Sequence, residues 1–208
     1  MIGIINCDLD NNPNTNGASL LNNLIENSEI VNLIEGEIPS FNYSGFIITG
    51  SRANYNDEYE WISSLRRLIL EIDSRNIPCL GICFGMQVIA DVFHGSVIQN
   101  EIEENGFFRI SISDNSLFEN FEEEINVFES HHDVVSEVPI NARVIAENEN
   151  CIQGFQLRNL YGIQFHPEIT FDVARLMDER DGTNYSSRVN ENDGIEVINN
   201  FIRMCENE

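Results

Sequence analysis

A cysteine between two glycines is the first candidate for chemistry in this sequence. Cys83 lies at the centre of residues 81–87, GICFGMQ, after a short apolar run and before a helical pattern. A strand, a sharp turn and a helix in this order form the setting of a nucleophile elbow. The glycines tolerate unusual backbone angles and close approach, and the start of a helix favours a thiolate. The pattern predicts a nucleophilic thiol at Cys83, although by itself it also fits a buried, apolar cysteine.

A second stretch, residues 161–168 with the sequence YGIQFHPE, supplies the partners that a thiol needs. It has the pattern of an apolar strand that ends at His166, with Pro167 fixing a bend before Glu168. A thiol nucleophile requires a base, and the base requires a carboxylate that orients it. We therefore predict that Cys83, His166 and Glu168 form a catalytic triad.

Together with SHHDV at residues 130–134, these two stretches resemble the class I (triad) glutamine amidotransferase family. The likeness is to the glutaminase domain of GMP synthase and its stand-alone relatives, and it covers residues 45–168. It implies an enzyme that hydrolyses L-glutamine to glutamate and ammonia without a cofactor. Because the chain has no Gly-rich nucleotide loop and no length for a synthase domain, the resemblance also implies a separate synthase partner, for which a GMP synthase subunit is one candidate.

The resemblance also implies an oxyanion hole made of backbone N–H groups. The N–H of Phe84, directly after the nucleophile, is the first donor. The second comes from the loop that contains Gly50 and Ser51, and either residue could supply it. The sequence of this loop, TGSR at residues 49–52, departs from the Gly-Gly-Pro that is frequent in the family.

Substrate-binding positions follow from the same resemblance. The amide of Gln87 and the backbone of Ser130 and His131 are expected to hold the amino-acid part of glutamine. Adjacent histidines before an aspartate also suggest a metal site, but neighbouring residues in a strand point to opposite faces. We therefore expect no metal.

Two other functions remain open at this stage. A stand-alone hydrolase of γ-glutamyl compounds would need the same triad and no partner. A non-catalytic, regulatory or binding member would keep the fold, although the intact triad argues against it.

The elements that must position these residues indicate an α/β fold of the flavodoxin-like type. We predict a central, mostly parallel sheet flanked by helices, with a small antiparallel addition after residue 95. Asn105-Gly106 is a turn signal between two of the added strands. The chain is expected to form one domain over residues 1–208, with a divergent helical tail over residues 169–208 that contains a mobile linker at residues 181–193. The other predicted strands are 1–7, 29–34, 45–49 and 77–80, and the predicted helices are 18–26, 57–76, 171–179 and 194–205.

Composition excludes several classes of function. The formal net charge is −24, with 35 acidic residues against 11 basic ones, and every basic residue is arginine. This charge argues against a nucleic-acid partner, which requires the opposite sign. No apolar stretch is long enough for a membrane span, and no basic segment precedes an apolar run at the N-terminus. Five scattered cysteines without such a signal make disulfides unexpected. We expect a cytoplasmic protein that is not bound to a membrane.

The acidity generates a prediction about salt, namely that the protein works in the cytoplasm of an extreme halophile. Acidic residues spread along the whole chain repel one another in dilute buffer, whereas at about 1 M salt the screening length falls to roughly 3 Å. We expect the midpoint of thermal unfolding to rise with KCl concentration, as followed by circular dichroism. A midpoint that is already maximal in dilute buffer would contradict this prediction.

Overall fold

The computed structural model describes residues 1–185 and 192–206, and within them the strands form one sheet. Nine strands in the order β2-β1-β3-β4-β9-β8-β7-β5-β6 make up this sheet. Their bounds are β1 Ile2–Ile5, β2 Ser28–Val31, β3 Gly45–Ile48, β4 Cys79–Ile82, β5 Ser96–Ile112, β6 Glu124–Glu137, β7 Arg143–Glu147, β8 Ile152–Leu157 and β9 Leu160–Ile163.

Five strands form the parallel part of the sheet. β1 pairs with β2 and β3 in parallel, β3 with β4, and β4 with β9. Every residue of β1, β3, β4 and β9 is buried, which explains why these segments are short, continuous apolar runs rather than alternating ones. The predicted α/β class with a mostly parallel sheet is confirmed.

Helices pack on the sheet, most of them on its parallel part. Their bounds are α1 Gly17–Leu24, α2 Glu60–Ser74, α3 Phe84–Val92, α4 Phe171–Asp181 and α5 Gly194–Glu206. Leu65, Ile69 and Ile72 are among the buried positions of α2, at the spacing of one helix face. The ring of Trp61, also on α2, packs on Phe84 with the centroids 5.6 Å apart. Each helix within the described ranges is too short or too polar to cross a bilayer.

The remaining four strands join in antiparallel fashion, and here one prediction is wrong. Asn105-Gly106 is not a hairpin turn but lies inside β5, where Asn105 faces Ser130 and Gly106 faces Glu129 of β6. Because β6 pairs with β5 on both sides of the dipeptide, the strand continues. The positive φ of Gly106, 113°, is accommodated inside the strand, and the pairing shifts register between Gln99 and Glu104.

The last described helix belongs to the main core. Val197, Ile198 and Phe201 of α5 are buried in the cluster that also contains Ile4 of β1 and Ile163 of β9. The predicted tail is therefore packed on the sheet where it is described. Residues 186–191 of the linker predicted at residues 181–193 lie outside the described residues, and the division of the chain into one domain with a tail stays a prediction.

The packing of α5 can be tested with a cavity mutation. Phe201 is fully buried, so Phe201→Ala should lower the free energy of unfolding by about 3–5 kcal/mol. Urea titration followed by circular dichroism measures this change. Ile195→Ala, at the exposed start of the same helix, is the control and should change stability by less than about 1 kcal/mol. Equal effects of the two substitutions would show that α5 does not pack as described.

Candidate active site

The sharp turn between β4 and α3 holds Cys83 in an unusual backbone conformation. Its φ is 49° and its ψ is −102°, outside the ordinary regions for a residue with a side chain. The N–H of Cys83 donates to the carbonyl of Ile163 at 2.8 Å, and its carbonyl accepts from the N–H of Gln87 at 3.1 Å. A Cβ atom on Gly81 would lie 2.6 Å from the carbonyl carbon of Gly85, so the turn needs glycine there. The elbow predicted from the sequence is present.

The chain after β9 brings the base to this turn. His166 Nδ1 lies 2.9 Å from Glu168 Oε1, and His166 and Cys83 border the same cavity. A proton on Nδ1 that is donated to Glu168 leaves Nε2 as the ring nitrogen that can act as a base. Since the backbone N–H of His166 also donates to the carbonyl of Phe128 at 2.7 Å, β6 fixes the position of the base. The structure therefore brings the three predicted triad residues together.

The environment of His166 favours its charged form. Burial is the largest single influence and lowers the pKa of His166. The negative charge of Glu168 and the neighbouring sulfur of Cys83 outweigh burial, so the pKa of His166 lies well above its usual value. The site therefore favours an imidazolium at His166.

Two further residues touch the catalytic pair. A Cβ atom on Gly50 would lie 2.7 Å from His166 Cε1 and 3.7 Å from Cys83 Cβ, so the loop after β3 approaches closely because it has no side chain there. Gln164, which is fully buried, donates from Nε2 to Cys83 Sγ at 3.5 Å. The sequence analysis missed Gln164, although a polar residue two positions before His166 in an apolar strand was an available signal.

Two cavities meet at Cys83. The first, which we call the β1-side cavity, is bordered by His166, Glu168, Gly50, Ser51 and acidic residues that include Asp8. The second, the β6-side cavity, is bordered by Ser51, Gln87, Ser130, His131 and Asp133. The predicted oxyanion and substrate positions therefore surround the nucleophile from two sides. Phe84 is the first residue of α3, so its N–H has no acceptor within the helix.

The predicted substrate-binding residues have structural partners as well. The Nε2 of Gln87 donates to the carbonyl of Asp133 at 2.9 Å and so ties α3 to β6. Ser130 Oγ donates to Asn105 Oδ1 at 3.2 Å. His131 is buried, whereas the side chain of its neighbour His132 is more than half exposed, as expected for alternating faces of a strand. Their role in binding glutamine stays a prediction.

Sequence reasoning also missed the charged border of the β1-side cavity. Asp8 accepts hydrogen bonds from the N–H groups of Gly17 and Asp10, yet burial raises the pKa of its carboxyl. Arg180 of α4 reaches across to Asp10 Oδ2 at 2.9 Å. The two aspartates follow β1 at the edge where open α/β sheets bind ligands, which was a usable signal, but nothing local in the sequence points to Arg180.

Comparison with a family model and with two sequence relatives places this chain beside the same class of protein. The family model for "Glutamine amidotransferase class-I" matches residues 15–176. A glutamine-hydrolyzing GMP synthase subunit of Methanosphaera stadtmanae is 34% identical over 188 residues, which cover 88% of this chain and 87% of the relative. The corresponding subunit of Pyrococcus abyssi is 30% identical over 173 residues, with 81% and 79% covered.

Solved structures show the same fold. A glutamine amidotransferase from Thermotoga maritima matches with a TM-score of 0.81 at 23% identity, covering 99% of this chain and 97% of its own. A putative GMP synthase subunit from Thermoplasma acidophilum matches with a TM-score of 0.71 at 25% identity, covering 99% and 94%.

The electrostatic role of Glu168 can be measured directly. Glu168→Gln removes the negative charge that faces His166 Nδ1, so the pKa of His166 should fall. Because the pKa of His166 is higher in the folded protein than in the unfolded chain, protonation of His166 stabilises the fold. This stabilisation is complete below the pKa of the unfolded chain and is lost as the pH rises through the pKa of the folded protein. This pH-dependent part of the stability should therefore shrink in the variant. Histidine NMR titration, with the His166 signal assigned by its loss in His166→Gln, measures the pKa.

Glu103→Gln is the matched control for this experiment. Glu103 also pairs with a histidine, His132, at 2.9 Å between Oε1 and Nδ1, but both side chains are more than half exposed. The substitution should leave the pKa of His166 unchanged. An unchanged pKa in Glu168→Gln as well would rule out the electrostatic role.

Proposed function

Because the chain belongs to the class-I glutamine amidotransferase family, we propose that Cys83, His166 and Glu168 hydrolyse L-glutamine to glutamate and ammonia. The observation that carries this proposal is the grouping of Cys83, His166 and Glu168 around one cavity, with His166 Nδ1 2.9 Å from Glu168 Oε1. The group lies at the elbow, where the two cavities meet. Its intact set of side chains argues against a non-catalytic, regulatory role.

The first step forms a thioester. The thiolate of Cys83 attacks the side-chain amide carbon of glutamine, and the carbonyl electron pair moves onto oxygen. The N–H of Phe84 and an N–H of Gly50 or Ser51 stabilise that oxyanion. When the tetrahedral intermediate collapses, the C–N bond breaks and the imidazolium of His166 protonates the departing nitrogen, which leaves as ammonia.

The second step releases glutamate. Neutral His166 takes a proton from water, and the resulting hydroxide attacks the γ-glutamyl thioester. The C–S bond then breaks, and Cys83 leaves as the thiolate beside the imidazolium, which restores the starting pair. Throughout both steps Glu168 keeps the ring oriented and stabilises its charged form.

The β6-side cavity is the proposed site for the amino-acid part of glutamine. Gln87 and the backbone of Ser130 and His131 border it and would hold the α-amino and α-carboxylate groups. The hydrogen bond from Gln87 to Asp133 supports this assignment, because it positions α3 against the strand that carries Ser130 and His131. No cofactor is required for either step.

We propose that the ammonia passes to a synthase partner in the cytoplasm. The two relatives that are named as GMP synthase subunits match this chain over more than three quarters of their length, which supports a chain that works with a separate synthase. GMP synthase is the first partner to test.

A stand-alone hydrolase of γ-glutamyl compounds is the second candidate. The observation that favours it is the β1-side cavity, which gives space at Cys83 for a leaving group larger than ammonia.

The activity is tested by measuring glutamate release from L-glutamine in about 1 M KCl, where the acidic surface is screened. The wild-type protein should release glutamate, and Cys83→Ala should lower kcat by ~10³-fold or more, since the nucleophile is removed. Cys79→Ala, which removes a buried thiol from β4, is the control and should retain activity. Equal rates in wild type and Cys83→Ala would overturn the triad.

The response to a synthase and the preferred substrate distinguish the glutaminase with a partner from the stand-alone hydrolase. If the protein works with a synthase, added GMP synthase from the same source should raise the rate of glutamate release from glutamine. A higher kcat/KM for a γ-glutamyl amine than for glutamine, with no response to the synthase, would favour the second.

A further inference from the structure

A second histidine is buried at the border of the β6-side cavity, between two glutamates. His131 of β6 lies opposite Glu104 of β5 in the strand pairing, and its Nε2 is 3.3 Å from Glu104 Oε2. The same nitrogen is 3.1 Å from Glu129 Oε2, and Glu129 shares a face of β6 with His131. Both glutamates are fully buried, and the side chain of His131 is 1% exposed. The mechanism proposed above uses none of these three side chains.

The surroundings of His131 keep it positively charged. Burial is the largest single influence and lowers the pKa of His131. The neighbouring Glu104 and Glu129, together with the charge of Cys83, outweigh burial and raise this pKa to about 9. The ring nitrogens have no well-aligned hydrogen-bond partner among the described residues. Attraction between opposite charges therefore accounts for the contact of His131 with the two glutamates.

Polar neighbours fix the carboxylate of Glu104. Asn148 Nδ2 and Asn150 Nδ2 donate to its Oε1 at 2.8 and 2.9 Å. The thiol of Cys151 donates to Oε2 at 3.4 Å, and burial raises the pKa of this thiol, so it stays a neutral donor. Burial also raises the pKa of Glu104, but His131 and the two asparagines outweigh it and hold this pKa below its usual value. Glu104 is thus a fixed anion against which the imidazolium is held.

The pairing of the strands does not require these charges. The backbones of β5 and β6 pair on both sides of His131, from Gln99 with Asp133 and from Asn105 with Ser130. A buried ion pair loses about as much solvation as it gains in attraction, and apolar side chains of similar volume are often as stabilising. A role in the active site gives the buried charges another purpose.

The part of β6 that carries these charges also contacts the active site. The carbonyl of Phe128 accepts from the N–H of His166 at 2.7 Å, and Ser130 borders both cavities. Phe128 and Ser130 alternate along the strand with Glu129 and His131. Contacts that hold the two charged residues therefore also hold the two that meet the catalytic groups.

The charge of His131 acts on the nucleophile as well. His131 and Cys83 both border the β6-side cavity, and negative charge on Cys83 favours the imidazolium of His131. Because the attraction between two charges stabilises both of them, the imidazolium of His131 in turn favours a thiolate at Cys83.

We propose that His131, held as a cation between Glu104 and Glu129, is a positioning residue for the amidotransferase reaction. It fixes residues 128–131 of β6 at the active site and favours the thiolate of Cys83. This inference rests on the nucleophilic role of Cys83 in the proposed function. Sequence reasoning indicated only the backbone of His131, because strand pairing rather than local spacing brings Glu104 to its side chain.

Alkylation of Cys83 by iodoacetamide tests the effect on the thiolate without requiring turnover. Mass spectrometry of the peptide that contains Cys83 gives the rate at about pH 7 and at about pH 10, where free thiols are ionised. In His131→Gln, the ratio of the rate at the lower pH to the rate at the higher pH should fall roughly threefold or more. A change in access to the thiol alone would alter both rates and leave their ratio unchanged.

His132→Gln is the matched control. His132 is the next residue of β6 and pairs with Glu103, the neighbour of Glu104, but both of these side chains are more than half exposed. His132→Gln should leave the alkylation ratio and the kcat for glutamine unchanged, whereas His131→Gln should also lower kcat by about tenfold. An unchanged ratio in His131→Gln, or equal reductions in the two variants, would overturn the proposal.

A measurement on the unsubstituted protein decides the case in which His131→Gln does not fold. Histidine NMR should show a pKa of about 9 for His131, whose signal is the one retained in each of His94→Gln, His132→Gln and His166→Gln. A pKa at the ordinary value for histidine would contradict the proposal. A wild-type protein that releases no glutamate would count against the proposed activity, whereas the alkylation ratio separately decides the role of His131.

Discussion

The close contact between β4 and α3 is the constraint on which the rest of the site depends. The chain turns sharply there with Cys83 at a positive φ, and Gly81 and Gly85 lack the Cβ atoms that would collide with neighbouring backbone. Such a conformation costs on the order of 1–3 kcal/mol and persists only where the surroundings impose it. Here the N–H of Cys83 is held by β9 and its carbonyl by α3. The same contacts that impose the strain also direct the sulfur out of the sheet.

The position of β9 explains how the base reaches the sulfur. Among the described strands, β9 alone has a parallel neighbour on one side, β4, and an antiparallel neighbour on the other, β8. Ile82 and Ile163 are in register, so β4 and β9 end at the same edge of the sheet. Cys83 follows one strand directly and His166 follows the other after two residues. The parallel part thus positions Cys83, while the antiparallel part supplies β6, whose carbonyl at Phe128 fixes His166.

The grouping of Cys83, His166 and Glu168 and the parallel strands could be predicted from sequence because their signals are local. Cys83 stands between glycines at a strand–helix junction, His166 and Glu168 are two residues apart at a strand end, and buried parallel strands are continuous apolar runs. The family that these motifs indicated is confirmed. Gln164 was within the same stretch, as a polar residue two positions before His166.

Features that depend on pairing between distant segments could not be predicted. Asn105-Gly106 has the composition of a turn, but the continuous pairing of β5 with β6 overrides that local preference. Arg180 meets Asp10 across 170 residues, and Glu104 meets Cys151 only because β5, β6 and the turn before β8 lie side by side. In each case the partner lies on a segment that is distant in sequence and is brought near by the fold, which no short window of sequence contains.

The packing of Trp61 on Phe84 has a practical consequence. Trp61 is the single tryptophan of the chain, and its ring contacts the residue that directly follows the nucleophile. The intrinsic fluorescence of the protein therefore originates beside the elbow. Thioester formation at Cys83, the arrival of glutamine or the docking of another protein near this turn can be followed by emission spectroscopy on the unlabelled protein.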